Sequence, residues 1–275
     1  VRTTTVLALL IALIAPASAQ TIVHFLSQAM GRRAVMVDGY LYRPAGGGRH
    51  PGVVFLHGCS GLLGKNGKPN SRAMQWERTL TKLGYVVLMV DSYTPRGVKN
   101  QCEPATFDER IFTARPFDAI GALKYLQAQP FVDPSRIALM GWSDGGGAVL
   151  SNVSDDALRS NNGFKAAVAF YPARCNSMFI GQEWNTNIPL LVVLGGHDNW
   201  TPPAPCINAM KGVPYVDVKL YPTAGHDFDW PNDPIHKLPL YQTSAGVVPV
   251  VGTDPAARAD ALRLVPQFLQ RNIGN

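Results

Sequence analysis

The chain has 275 residues, of which 46% are hydrophobic and 16% charged, and it carries a formal net charge of +6. That apolar content can bury one large core, and it excludes a disordered or low-complexity chain. Lys and Arg are scattered along the sequence, so the positive balance leaves no basic footprint for nucleic acid. It biases the surface only mildly toward anionic substrates or surfaces.

Residues 1–19 read as a removable export signal. Arg2 supplies a positive start, Val6 to Ile14 form an apolar stretch, and Ala17-Ser18-Ala19 fits the small-residue cleavage pattern, with cleavage before Gln20. The apolar run is shorter than the ~20 residues a bilayer span needs; the competing reading is a retained anchor. Export makes Cys59, Cys102, Cys175 and Cys206 candidates for two disulfides. Three pairings are open. Cys59 and Cys102 fall in loops near one expected sheet edge, and Cys175 and Cys206 both follow later strands, which favours 59 with 102 and 175 with 206.

From residue 20 onward strand and helix patterns alternate. Ala34 to Tyr42 reads as an early strand or hairpin, with a turn at Pro44 to Gly48. The run Val53 to Leu56, a helix near Ser71 to Leu83, and the run Tyr85 to Val90 follow. Helical segments lie between Phe107 and Gln129, with Pro116 opening or kinking one of them. Further strands are expected at Arg136 to Met140, Phe164 to Phe170, Pro189 to Leu194 and Val216 to Leu220. Asp254-Pro255 caps a last helix whose face carries Leu262, Val265, Phe268 and Leu269. Continuous apolar strands separated by helices predict one α/β domain over residues 20–275, its mostly parallel central sheet covered by helices on both faces. Trp230 to Gly252 has no clear periodicity and is expected to be an ordered loop wrapping the edge that holds the site.

The strand expected at Arg136 to Met140 runs into Gly141-Trp142-Ser143-Asp144-Gly145. A buried strand entering G-x-S-x-G is the pattern of a nucleophile elbow, a turn so tight that the serine stands clear at the strand's end. A serine hydroxyl needs a histidine within hydrogen-bond reach, itself oriented by a carboxylate. In α/β-hydrolases these follow in the order Ser, acid, His. Here Leu191 to Leu194 leads into Gly195-Gly196-His197-Asp198, and Val218 to Tyr221 leads into Ala224-Gly225-His226. Ser143, Asp198 and His226 are therefore the expected triad. Asp227 and Asp229 are rival acids, set too close behind His226 to orient its ring easily. His197 is a rival base that adjoins the acid in one turn. His24, His50 and His236 belong to no motif. The oxyanion donors are expected to be the N–H of Asp144 and, from His57-Gly58-Cys59-Ser60-Gly61, the N–H of Cys59. His57 is expected to shape that loop. Cys59 as nucleophile is disfavoured, because it lies on no elbow.

These residues, with Asp91-Ser92-Tyr93-Thr94-Pro95-Arg96-Gly97 and His226-Asp227-Phe228-Asp229, resemble the dienelactone hydrolase family of α/β-hydrolases. The resemblance implies a Ser/Cys-His-Asp hydrolase with no cofactor and no metal, acting on a small ester or lactone. It also implies a substrate-carboxylate role for Arg96, the competing reading being a loop salt bridge. Authentic dienelactone hydrolases carry cysteine at the elbow, where this chain carries Ser143. Trp142, Trp200 and Trp230 are pocket candidates; the first and last read better as packing, while Trp200 directly follows the acid turn. The expectation is an exported serine esterase with no nucleic-acid partner and no membrane anchor after cleavage. Its rivals are a peptidase or amidase of the same fold, a polymer-directed esterase, and a catalytically silent binding protein.

Overall fold

In a computed structural model, residues 20–28, 34–105, 107–154, 163–175, 184–243 and 245–274 are described. The expected signal, residues 1–19, lies outside them. Eight strands form one sheet: β1 (Thr21–Leu26), β2 (Met36–Tyr42), β3 (His50–Leu56), β4 (Val86–Asp91), β5 (Val132–Trp142), β6 (Ala166–Phe170), β7 (Leu190–Gly195) and β8 (Val216–Tyr221). Their spatial order is β1-β2-β4-β3-β5-β6-β7-β8. β1 and β2 pair antiparallel, as do β2 and β4, and every later pairing is parallel.

The apolar runs are continuous because each central strand feeds a core on both faces. Val54 and Leu56 of β3, with Leu88 and Val90 of β4, enter one core, and Val53, Phe55, Val87 and Met89 enter the other. The first core is closed by α2 (Glu109–Gln127), α3 (Asp144–Ser154) and α4 (Pro203–Met210). The second is closed by α1 (Ser71–Lys82) and α5 (Pro255–Ile273). Helices α1 and α5 begin where the sequence offers acceptors. Asn70 accepts the Ala73 N–H at the head of α1, and Asp254 accepts those of Ala256 and Ala257 ahead of α5. Among the described residues, no helix is long and apolar enough to cross a membrane.

Two differences from the expected elements have local causes. Pro116 does not open α2 but sits inside it, where it has no N–H to give the helix ladder. The Pro116 carbonyl accepts from the Asn152 side chain of α3 at 3.0 Å, which ties the two helices together at this turn. The stretch from Trp230 to Gly252 contains a short pair, β9 (His236–Lys237) with β10 (Val250–Val251). It is pinned to the sheet's edge by Asn199, whose side chain donates to Val248 O at 3.1 Å and accepts from Val250 N at 2.9 Å.

Candidate active site

Ser143 stands between β5 and α3 with φ of +52°, in the left-handed region that a non-glycine residue rarely adopts. Its backbone is held on three sides. The N–H donates to Phe170 O at 3.0 Å, and the carbonyl accepts from Gly147 N and Ala173 N, both at 2.9 Å. The flanking glycines are required by space. A Cβ on Gly145 would stand 2.1 Å from Leu56 O, and one on Gly141 2.4 Å from Gly145 O. Gly145→Ala is therefore expected to cost at least about 3 kcal/mol, because backbone rather than a flexible side chain would have to move. Chemical denaturation of the variant beside the parent checks this.

Asp198 ends the turn after β7, and His226 ends the turn after β8. The two turns touch through glycine. Gly196 N donates to Tyr221 O at 2.8 Å, and a Cβ on Gly196 would meet Pro222 O at 2.4 Å. Asp198 Oδ1 accepts the N–H groups of Trp200 and Thr201, at 2.9 and 2.8 Å. Its Oδ2 lies 2.7 Å from Nδ1 of His226. The Thr201 hydroxyl, 2.9 Å from Oδ2 and 3.1 Å from Tyr171 O, is a further neighbour that no sequence motif singles out. Both Asp198 and His226 are buried. Burial alone disfavours a charged imidazole, but the charge and hydrogen bond of Asp198 outweigh it, and the His226 pKa is raised above its ordinary 6.5.

The rivals are engaged elsewhere. Asp227 pairs with Arg72 of α1. Asp229 is buried and accepts the indole N–H groups of Trp76 and Trp142, each at 2.8 Å, and the Tyr171 hydroxyl. His197 is exposed. His57 is buried and shapes its loop: Nδ1 lies 2.7 Å from Gly58 O, and Nε2 accepts from Ser92 N at 3.3 Å. Burial, with the charge of Arg115 beside it, lowers the His57 pKa and keeps the ring neutral.

Ser143 and His226 face a small cavity of about 50 Å³, also bordered by Gly58, Cys59, Arg72 and Asp227. It adjoins a cleft of about 370 Å³ lined by Ser143, Asp144, Cys59, Arg174, Phe107 and Trp200, among others. As the first residue of α3, Asp144 has an N–H outside the helix's own ladder, at the end that favours negative charge. Cys59 lies beside it in the loop after β3 and is joined to Cys102 by a disulfide; a second disulfide joins Cys175 to Cys206. Gln101 N donates to Cys59 O at 2.8 Å, so residues 101–102 hold this loop by both a covalent and a hydrogen bond.

Arg96 has a buried partner. Its guanidinium forms a two-point pair with Asp118, at 2.8 and 2.9 Å, and donates to Ser92 O at 2.6 Å. Asp118 is fully buried, and Arg96 is turned into the protein body to neutralise it, away from the cleft. The arginine that does line the cleft is Arg174, held over the rings of Phe107 and Phe112 and paired with Glu109 at 2.6 Å. Its sequence position after Tyr171-Pro172-Ala173 carries no motif. Trp200 lines the cleft, 4.9 Å from the His226 ring and stacked at 5.9 Å on Tyr241 of the 230–252 segment. Trp142 and Trp230 pack against Arg72. Among the described residues, no group of three or more His, Cys, Asp or Glu side chains is arranged to hold a metal.

Known proteins agree with this architecture. A solved dienelactone hydrolase-like promiscuous phosphotriesterase from metagenomic libraries superposes with a TM-score of 0.68 at 22% identity, covering 94% of this chain and 100% of that one. Esterase 2 of Thermogutta terrifontis, phosphorylated by paraoxon, superposes at 0.61 with 20% identity, covering 94% and 95%. At such identities the likeness is one of fold. In sequence, the chain is 32% identical over 130 residues to a protein of Paracoccidioides lutzii named as a probable dipeptidyl-aminopeptidase B, covering 45% of this chain and 13% of that protein. It is 25% identical over 170 residues to a Bradyrhizobium protein named as a probable 2-oxo-3-(5-oxofuran-2-ylidene)propanoate lactonase, covering 58% and 64%. The chain thus spans less than two thirds of the length of either relative. The sequence model of the dienelactone hydrolase family matches residues 37–273, nearly the whole chain. This chain belongs to the dienelactone hydrolase family.

Proposed function

We propose that this protein is an exported serine hydrolase that cleaves a small carboxylic ester or lactone through an acyl-enzyme on Ser143. The observation that carries the reading is the buried Asp198–His226 pair, bonded at 2.7 Å and facing the cavity that Ser143 also borders. In this reading His226 takes the Ser143 proton as the hydroxyl attacks the carbonyl carbon. The amides of Asp144 and Cys59 receive the negative charge of the tetrahedral intermediate. His226 then hands its proton to the leaving alcohol, and a water activated by the same ring releases the acid. Asp198 holds the ring and stabilises its charged form. A cleft of about 370 Å³ suits a small-molecule substrate. No cofactor enters the scheme. Export is supported by the signal-like residues 1–19 and by the pairing of all four cysteines.

The partial likeness to a dipeptidyl-aminopeptidase favours amide cleavage as a second reading. Kinetics on p-nitrophenyl butyrate and on the matched butyryl-p-nitroanilide separate the two. The ester is expected to turn over and the anilide to remain within background. Comparable rates on both would favour the amidase reading.

A further inference from the structure

His226 is flanked on one side by Asp198 and on the other by a buried arginine that no motif announces. Arg72, on α1, is 3% exposed and borders the same small cavity as Ser143 and His226. Its Nη1 donates to the Asp227 carboxylate and to the Tyr171 hydroxyl, the latter at 2.7 Å. The guanidinium lies 4.5 Å from the Trp230 ring centroid and 5.6 Å from that of Trp142. A Cβ built on Gly58 would be 3.6 Å from both Arg72 Nη2 and Ser143 Cβ, so the cation sits close beside the elbow.

The partner of Arg72 is the residue directly after His226, and it is strained. Asp227 has φ of +62°, a backbone state that persists only where the surroundings over-determine it. Tyr171, the other acceptor of Arg72, has φ of +31° and donates its hydroxyl to Asp229, the residue that also receives the indole of Trp142. One polar network therefore links α1, the residue before Ser143, the end of β6 and the turn that carries His226. Helix α1 packs on the sheet through apolar side chains, Trp76 and Leu80 among them, and Arg72 is buried on the same helix. A buried cation is costly unless it is paired, and its pairing here falls on the histidine turn.

We propose that Arg72 is a positioning residue for His226: its ion pair with Asp227 fixes the turn that presents the imidazole and registers that turn against the elbow. The proposal rests on His226 being the base of the reaction above. Among the described residues, the charged or titratable groups that face His226 are Asp198 from the turn after β7, Asp227 from its own turn, Arg72 from α1 and Asp144 from the first turn of α3. The Thr201 hydroxyl and the rings of Trp200 and Tyr171 complete its surroundings. Arg72 and Asp227 act on the imidazole with opposite sign, the arginine lowering its pKa and the carboxylate raising it.

The test is the pH dependence of kcat/KM for p-nitrophenyl butyrate in the parent, Arg72→Met, Arg72→Lys, Asp227→Asn and His226→Ala, with the melting temperature of each. Loss of positioning lowers kcat about 10- to 100-fold in both Arg72→Met and Asp227→Asn, with KM nearly unchanged. The acid limbs separate in opposite directions. Arg72→Met leaves Asp227 unbalanced and moves the limb to higher pH; Asp227→Asn leaves Arg72 unbalanced and moves it to lower pH. Arg72→Lys keeps the charge without the planar fork, so its limb stays near the parent's while only part of the rate returns. Should Arg72→Met fail to fold, Asp227→Asn and Arg72→Lys decide by the same criteria. With His226→Ala inactive, a parental rate or an unmoved limb in Asp227→Asn would overturn the proposal alone. A parental rate in His226→Ala would overturn the reading of the base, and the proposal with it.

Discussion

Replacing Ser143 by Ala is expected to lower ester hydrolysis by about 10⁴- to 10⁶-fold while leaving the melting temperature near the parent's. The asymmetry follows from where the residue is held. Its backbone N–H and carbonyl make the contacts to Phe170, Gly147 and Ala173 that fold the elbow, and alanine keeps all three. Only the oxygen proposed to form the acyl bond is lost. Steady-state rates on p-nitrophenyl butyrate and a thermal melt check both halves. A variant that retains more than about a tenth of the parental rate would remove Ser143 from the nucleophile's role.

The second large effect is expected at Asp198. Asp198→Asn is predicted to lower kcat by about 10⁴-fold, because an amide nitrogen turned toward Nδ1 of His226 imposes the wrong tautomer on the ring. The substitution also removes the charge that raises the His226 pKa. Burial then dominates, so the imidazole stays neutral to lower pH. The rate should fall while the acid limb of the residual activity moves down, starting in the parent from above the ordinary 6.5. A limb that moves up, or a loss below tenfold, would argue that Asp198 is not the partner that charges His226.

The parts of this molecule that were readable in the sequence are those written by local rules. A strand running into glycines is a short-range signal, and it marks the turns of Ser143 and Asp198 because their glycines permit close backbone approach. The two-faced core announces itself through uninterrupted apolar runs such as Val53 to Leu56. The unreadable parts depend on separation in sequence. Arg96 and Arg174 are equivalent as letters, and only the burial of Asp118 draws one inward while the rings of Phe107 and Phe112 hold the other at the cleft. Arg72 meets Asp227 across 155 positions, and α1 carries no pattern that signals it. Strand β1 is invisible for a related reason: its apolar residues, Ile22, Val23, Phe25 and Leu26, do not alternate, only Val23 and Phe25 are buried, and it exists by pairing with β2. Asp227 and Asp229 compete with Asp198 on paper, and what separates them is Arg72 and two indoles supplied by distant elements.

The proposed activation of Ser143 by the Asp198–His226 pair can be read out by incubating the protein with a fluorophosphonate and mapping the adduct by peptide mass spectrometry. A single adduct is expected on the peptide containing Ser143, absent in Ser143→Ala and formed far more slowly in His226→Ala. An adduct on another residue, or ester turnover with no adduct at Ser143, would contradict it.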